Sequence, residues 1–162
     1  MSSNSAPTLG ISKHPQASSK SKPDWLGPAL LTVQMATASA EMVPFPCVKG
    51  VFGTIKTVLE TVVKVKKNQN SLKELCEDIT EITKIIGGKI TEGGDKMCWE
   101  LEGPCTELDD VLQDVLDAVH KMQKTKFFFK AMLMSTEISD DIAGYQEKIR
   151  KLRDNFMVYT HF

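Results

Sequence analysis

A basic surplus is the first thing the sequence lacks. Lys and Arg number 20 against 21 Asp and Glu, a formal net charge of −1. Nucleic-acid binders normally carry a strong basic excess, so no nucleic-acid partner is expected. Paired cysteines are also missing: Cys47, Cys76, Cys98 and Cys105 form no CxxC spacing, and no apolar leader opens the sequence. A reducing, intracellular compartment is therefore expected rather than a disulfide scaffold. Histidine is scarce, with His14, His120 and His161 far apart and no HExxH pair or nucleophile elbow among them. Gly87-Gly88 and Gly93-Gly94 lack the GxxxxGK[ST] spacing that cradles phosphates. Asp109, Asp110, Asp114 and Asp117 fit a solvated helix face better than a metal site. No catalytic residue, metal or cofactor is expected, and the chain is read as a non-enzyme.

A long apolar run is absent as well. The uncharged stretch from Trp25 to Ala40 comes nearest. At roughly 16–18 residues and rich in Thr, Ser and Ala, it falls short of the about 20 mostly apolar residues a spanning helix needs. Leu26, Leu30, Val33 and Ala40 share a face, with Ala29, Ala36 and Thr37 beside them. Two readings follow: a helix docked on a core, or a segment that enters a bilayer once released.

What the sequence does have is helical periodicity. Residues 1–22 are Ser- and Pro-rich with Lys13, Lys20 and Lys22 and no acid, and are expected as a disordered basic tail. Residues 23–162 are expected as one bundle domain, with helices near 25–41, 48–67, 71–87, 105–123 and 136–158. Val51, Phe52, Ile55, Val58, Leu59 and Val62 recur three and four apart. Ser71 with Glu74 reads as a capping box opening the next helix, whose stripe is Leu72, Leu75, Ile79, Ile82 and Ile86. Gly87-Gly88 is read as its stop, and residues 89–104 as a loop with one helical turn near Trp99. Pro104 or Thr106 opens a helix lined by Leu108, Leu112, Val115 and Val119, and Ile142, Tyr145, Ile149, Leu152 and Phe156 line the last. The short link at Asn68–Asn70 implies an antiparallel hairpin. The predicted fold class is all-α, an antiparallel four-helix bundle with an additional N-terminal helix.

Two features exceed a generic bundle. One is the run Lys121, Lys124, Lys126, Phe127, Phe128, Phe129 and Lys130, since lysines beside aromatics are drawn to anionic membrane surfaces. Its plainer reading is a loop tucked over the bundle end. The other pairs Lys148, Arg150, Lys151 and Arg153 with Lys64, Lys66 and Lys67, which together make one end basic if they converge.

The segments VPFPCVKGVFGTIKTVLETVVKVKKNQNSLKELCEDITEI and KTKFFFKAMLMSTEISDDIAGYQEKIRKLRDNF resemble the N-terminal four-helix bundle of mixed lineage kinase domain-like proteins in their fungal, HeLo-like relatives. The resemblance runs from about Val48 to Phe156 and rests on helix order and apolar pattern. It implies a cell-death or innate-immunity effector that is cytoplasmic, moves to the plasma membrane, oligomerises on activation and permeabilises the bilayer. A helical adaptor working with an immune-receptor partner is the alternative. On the lipid-binding reading, Lys64, Lys66, Lys67, Lys121, Lys124, Lys126 and Lys130 meet anionic headgroups. Trp25, Leu26, Leu30, Leu31, Phe127, Phe128 and Phe129 are the expected inserting residues.

Overall fold

A computed structural model describes residues 23–42, 44–65, 69–124 and 128–158. Among them the regular structure is all helical, in five segments with no strand. Helix α1 is Leu26–Glu41, α2 is Pro46–Val62, α3 is Gln69–Lys124 and α4 is Phe128–Val158. Gly94 alone interrupts α3, with non-helical φ 56° and ψ −151°, so α3 has a first limb (69–93) and a second limb (95–124). The expected tail 1–22 lies outside the described residues.

The apolar stripes became the core. Val51, Phe52, Ile55, Val58 and Leu59 of α2 meet Leu72, Leu75, Ile79, Ile82 and Ile86 of the first limb in one buried cluster. Leu108, Leu112, Val115 and Val119 of the second limb and Ile142, Ile149, Leu152 and Phe156 of α4 belong to it too. Helix α1 adds Leu26, Ala29, Val33, Ala36 and Ala40, and its small alanines let it lie close. Removal of this apolar area from water is the main favourable term, at about 25 cal/mol per Å2.

Several boundaries differ from the sequence reading. Helix α2 starts with Pro46 at its first position and ends at Val62, not near 67. A tight turn follows, closed by Lys64 N–H to Thr61 O and Val65 N–H to Val62 O, and it returns Val65 to the core. Helix α3 opens at Gln69, so Ser71 sits inside its first turn rather than capping it. Helix α4 opens at Phe128 instead of near 136, in a stretch free of Gly and Pro.

The largest difference is that residues 89–104 are helical apart from Gly94. Gly87-Gly88 does not stop the first limb, and Pro104 lies well inside the second. The reason is burial: Ile90 and Leu101 are 5% and 1% exposed, and Cys105 is fully covered. A buried Ile or Leu contributes about 1.5–3 kcal/mol. Two of them are of the same order as about 1 kcal/mol for each of Gly87 and Gly88 and about 3 for an interior proline. Gly87 also faces α1, where an added Cβ would stand 3.7 Å from the Cβ of Ala36. Around Gly88 there is open space. Gly88→Ala is therefore expected to stabilise the chain by about 0.5–1 kcal/mol in urea unfolding. A loss of stability there would mean that the helix terminates at this position.

Polar contacts give the helix directions. Thr54 accepts from Gln113 at 3.4 Å and the Thr61 carbonyl accepts from Gln123 at 3.2 Å, so α2 and the second limb ascend together. Gln146 bonds Glu74 and Asp78, and Arg153 reaches Asp78 and Glu81, so α4 runs in the sense of the first limb. Trp25 and Ala29 flank Glu77 and Thr80 while Ser39 flanks Gly88 and Glu92, which gives α1 that same sense. Helix α4 comes close to α3 alone, whereas α1, α2 and α3 all touch one another.

Candidate functional site

The end of the molecule where α2 finishes also holds the end of α3. The Gln123 side-chain amide donates to the backbone carbonyl of Thr61 and fastens the two helix ends side by side. This brings Lys64, just past α2, together with Lys121 and Lys124 in the last turn of α3, and all three are exposed. Each of the α3 lysines also answers the partial negative charge at a helix C-terminus, an effect of about 0.3–1 kcal/mol. Lys66, Lys67, Lys126 and Phe127 lie outside the described residues. Phe128, Phe129 and Lys130 open α4, and their side chains lie outside the description as well.

The expected inserting residues of α1 do not behave alike. Leu26 is fully buried, and Trp25 and Leu30 pack half-buried against the core. A bilayer role for Leu26 requires α1 to lift off α2 and α3. Only Leu31 of the four faces outward, 57% exposed, and it does so beside Met35 (65%) and Met42 (90%). The outward face of α1 is thus free of charge as far as Ala40, with Gln34 and Ser39 exposed beside these apolar side chains.

The cations of α4 are occupied elsewhere. Asp78 accepts from Arg150 Nε at 2.9 Å, Arg153 Nη1 at 3.4 Å and Gln146 Nε2 at 3.2 Å. Arg153 also bridges to Glu81 at 3.2 Å and to Asp154 at 3.3 Å. Lys151 pairs with Glu147 at 2.9 Å, which holds the Glu147 carboxyl below its usual range, and the Lys148 Nζ lies 5.7 Å from the Tyr145 ring centre. Arg150 and Arg153 thus fix α4 to α3, while Lys148 and Lys151 engage neighbours on α4 itself. Sequence reasoning missed Asp78, although the signal was present: an acid three residues after Leu75 on the buried stripe, matched by two arginines three apart on one face of α4.

Burial pushes the Cys76 thiol up to about 12, with Glu77 adding to the effect, so it stays protonated and unreactive. Burial, then Asp114, Asp141 and Asp117, hold the Tyr145 phenol above its ordinary value, which places α4 against the second limb too. Among the described residues no three His, Cys, Asp or Glu side chains are grouped to hold a metal. An open trough between α1 and α3 is lined by Thr32, Met35, Ala36, Thr83, Gly87 and Gly88, together with Lys84 and Glu92. No helix among the described residues is long and apolar enough to cross a membrane. No protein-family model matches the chain, and no curated protein or solved structure is significantly similar to it.

Proposed function

We propose that this chain is a non-catalytic, membrane-directed bundle of the cell-death or innate-immunity effector type. In this reading α2, the two limbs of α3, and α4 are the antiparallel four-helix unit, and α1 is the added N-terminal element. It meets anionic lipid with the end carrying Lys64, Lys121 and Lys124, and oligomerises there. The observation that carries the reading is the gathering of these three exposed lysines by the Gln123–Thr61 bond. The family resemblance between about Val48 and Phe156 supports it. Each basic residue near an anionic surface contributes about 1 kcal/mol.

The test is flotation with vesicles containing or lacking anionic lipid. Changing Lys64, Lys121 and Lys124 together to Gln is expected to weaken binding to anionic vesicles at least tenfold, with unchanged helicity. Equal binding of variant and parent sinks the reading. A second reading, a helical adaptor of immune-receptor signalling, is favoured by the uncharged outward face of α1. There, Leu31→Glu with Met35→Glu abolishes partner capture and leaves vesicle binding intact.

A further inference from the structure

The turn in the middle of α3 rests on a single residue. Helix runs up to Gly93 and resumes after Gly94, whose φ of 56° and ψ of −151° lie in a region that is essentially glycine-only. The turn is also tight: a Cβ at Gly93 would stand 2.5 Å from the Cβ of Met97. Across it the limbs fold back on each other, so that Lys89 on the first feels the charge of Glu100 on the second. Were Gly94 to take helical angles, α3 would become one rod of 56 residues, about 84 Å long at about 1.5 Å per residue.

The closed form carries a local cost. Lys89 is 3% exposed, and its Nζ is buried with no hydrogen-bond partner. Burial lowers its pKa, only partly countered by Glu100. Opening the turn returns that ammonium to water. It also uncovers the apolar faces that the limbs hide from each other, with Ile86, Ile90, Leu101, Cys105 and Leu108 among them. The surface complementary to the uncovered one is present in a second copy of the same chain, because there it already serves as the intramolecular partner.

We propose that Gly94 is a hinge about which α3 straightens, and that two opened chains close on each other by exchanging the second limb together with α4. Every core contact of the closed monomer is then remade between chains. The hinge residue alone changes conformation. This exchange needs no lipid and stands apart from the membrane reading.

Sedimentation equilibrium of the whole chain in lipid-free buffer tests it, with a distance measurement between non-cysteine labels at the exposed positions Glu77 and Gln113. These positions are about 54 Å apart along a continuous helix. Gly94→Ala penalises the turn and favours the rod, and is expected to raise dimer affinity at least tenfold, with the long distance appearing within each chain. A monomeric Gly94→Ala with the parent's short distance overturns the proposal, as does a dimer in which doubly labelled chains diluted into excess unlabelled chain keep that short distance. If Gly94→Ala loses its helical circular dichroism, the parent chain decides. A long-distance population growing with concentration supports the exchange, and its absence up to the solubility limit refutes it. Vesicle flotation on the same samples keeps failure of the exchange distinct from failure of membrane binding.

Discussion

Replacing Phe156 by alanine is expected to destabilise the chain by about 3–5 kcal/mol, the usual cost of truncating a fully buried aromatic. Phe156 is completely covered although it lies in the last turns of α4. Helix α4 approaches α3 alone, so no other helix backbone stands close enough to fill the space left behind. In a domain of this size each kcal/mol lowers Tm by roughly 2–4 °C, and thermal unfolding followed by circular dichroism reads the effect directly. A loss below about 1 kcal/mol would mean that the end of α4 is not docked in solution. Met157 and Val158, 51% and 59% exposed, supply the control, since their truncation is expected to change little.

The second large effect is at Asp78. Its carboxylate is 12% exposed and accepts from three α4 side chains. Breaking a buried pair costs about 3–5 kcal/mol when the remaining charge stays buried. Here the Arg150 and Arg153 side chains are 50% and 26% exposed, so water recovers part of the loss. We expect Asp78→Ala to cost about 2–3 kcal/mol after that discount. A double-mutant cycle with Arg150→Ala separates the pair from the rest of the cluster, and additivity within about 0.3 kcal/mol would show that the contact contributes nothing.

The helix faces were legible in the sequence because burial follows the 3.6-residue period. Val51, Ile55 and Val58, or Leu108, Leu112 and Val115, lie in the core where that period puts them. Local stop signals were less informative. Each helical glycine costs about 1 kcal/mol and an interior proline about 3, and tertiary burial of Ile90 and Leu101 is of the same order, so the Gly-Gly pair and Pro104 are passed through. Gly94, by contrast, does turn the chain; its pair is flanked by Glu92 and Asp95, whereas the pair at Gly88 is flanked by the buried Ile86 and Lys89.

The candidate site was legible only as a list of lysines. That Lys64 joins Lys121 and Lys124 depends on α2 and the second limb running in the same sense, a non-local fact. That Arg150 and Arg153 do not join them depends on Asp78, whose place in the core is equally non-local. For Leu26, the uncharged sequence context allowed both a docked helix and a bilayer segment, and the packing of α1 puts the residue in the protein interior.

Which surface meets lipid is the most direct question left by this arrangement. An environment-sensitive fluorophore placed at Lys124, at the basic end, and separately at Met35, on the outward face of α1, answers it when each labelled chain is added to vesicles. Anionic vesicles are expected to shift the emission at position 124 to the blue, to leave position 35 unchanged, and to lose the effect when the lipid is neutral. A shift confined to position 35, or none at either position, would contradict attachment through the basic end.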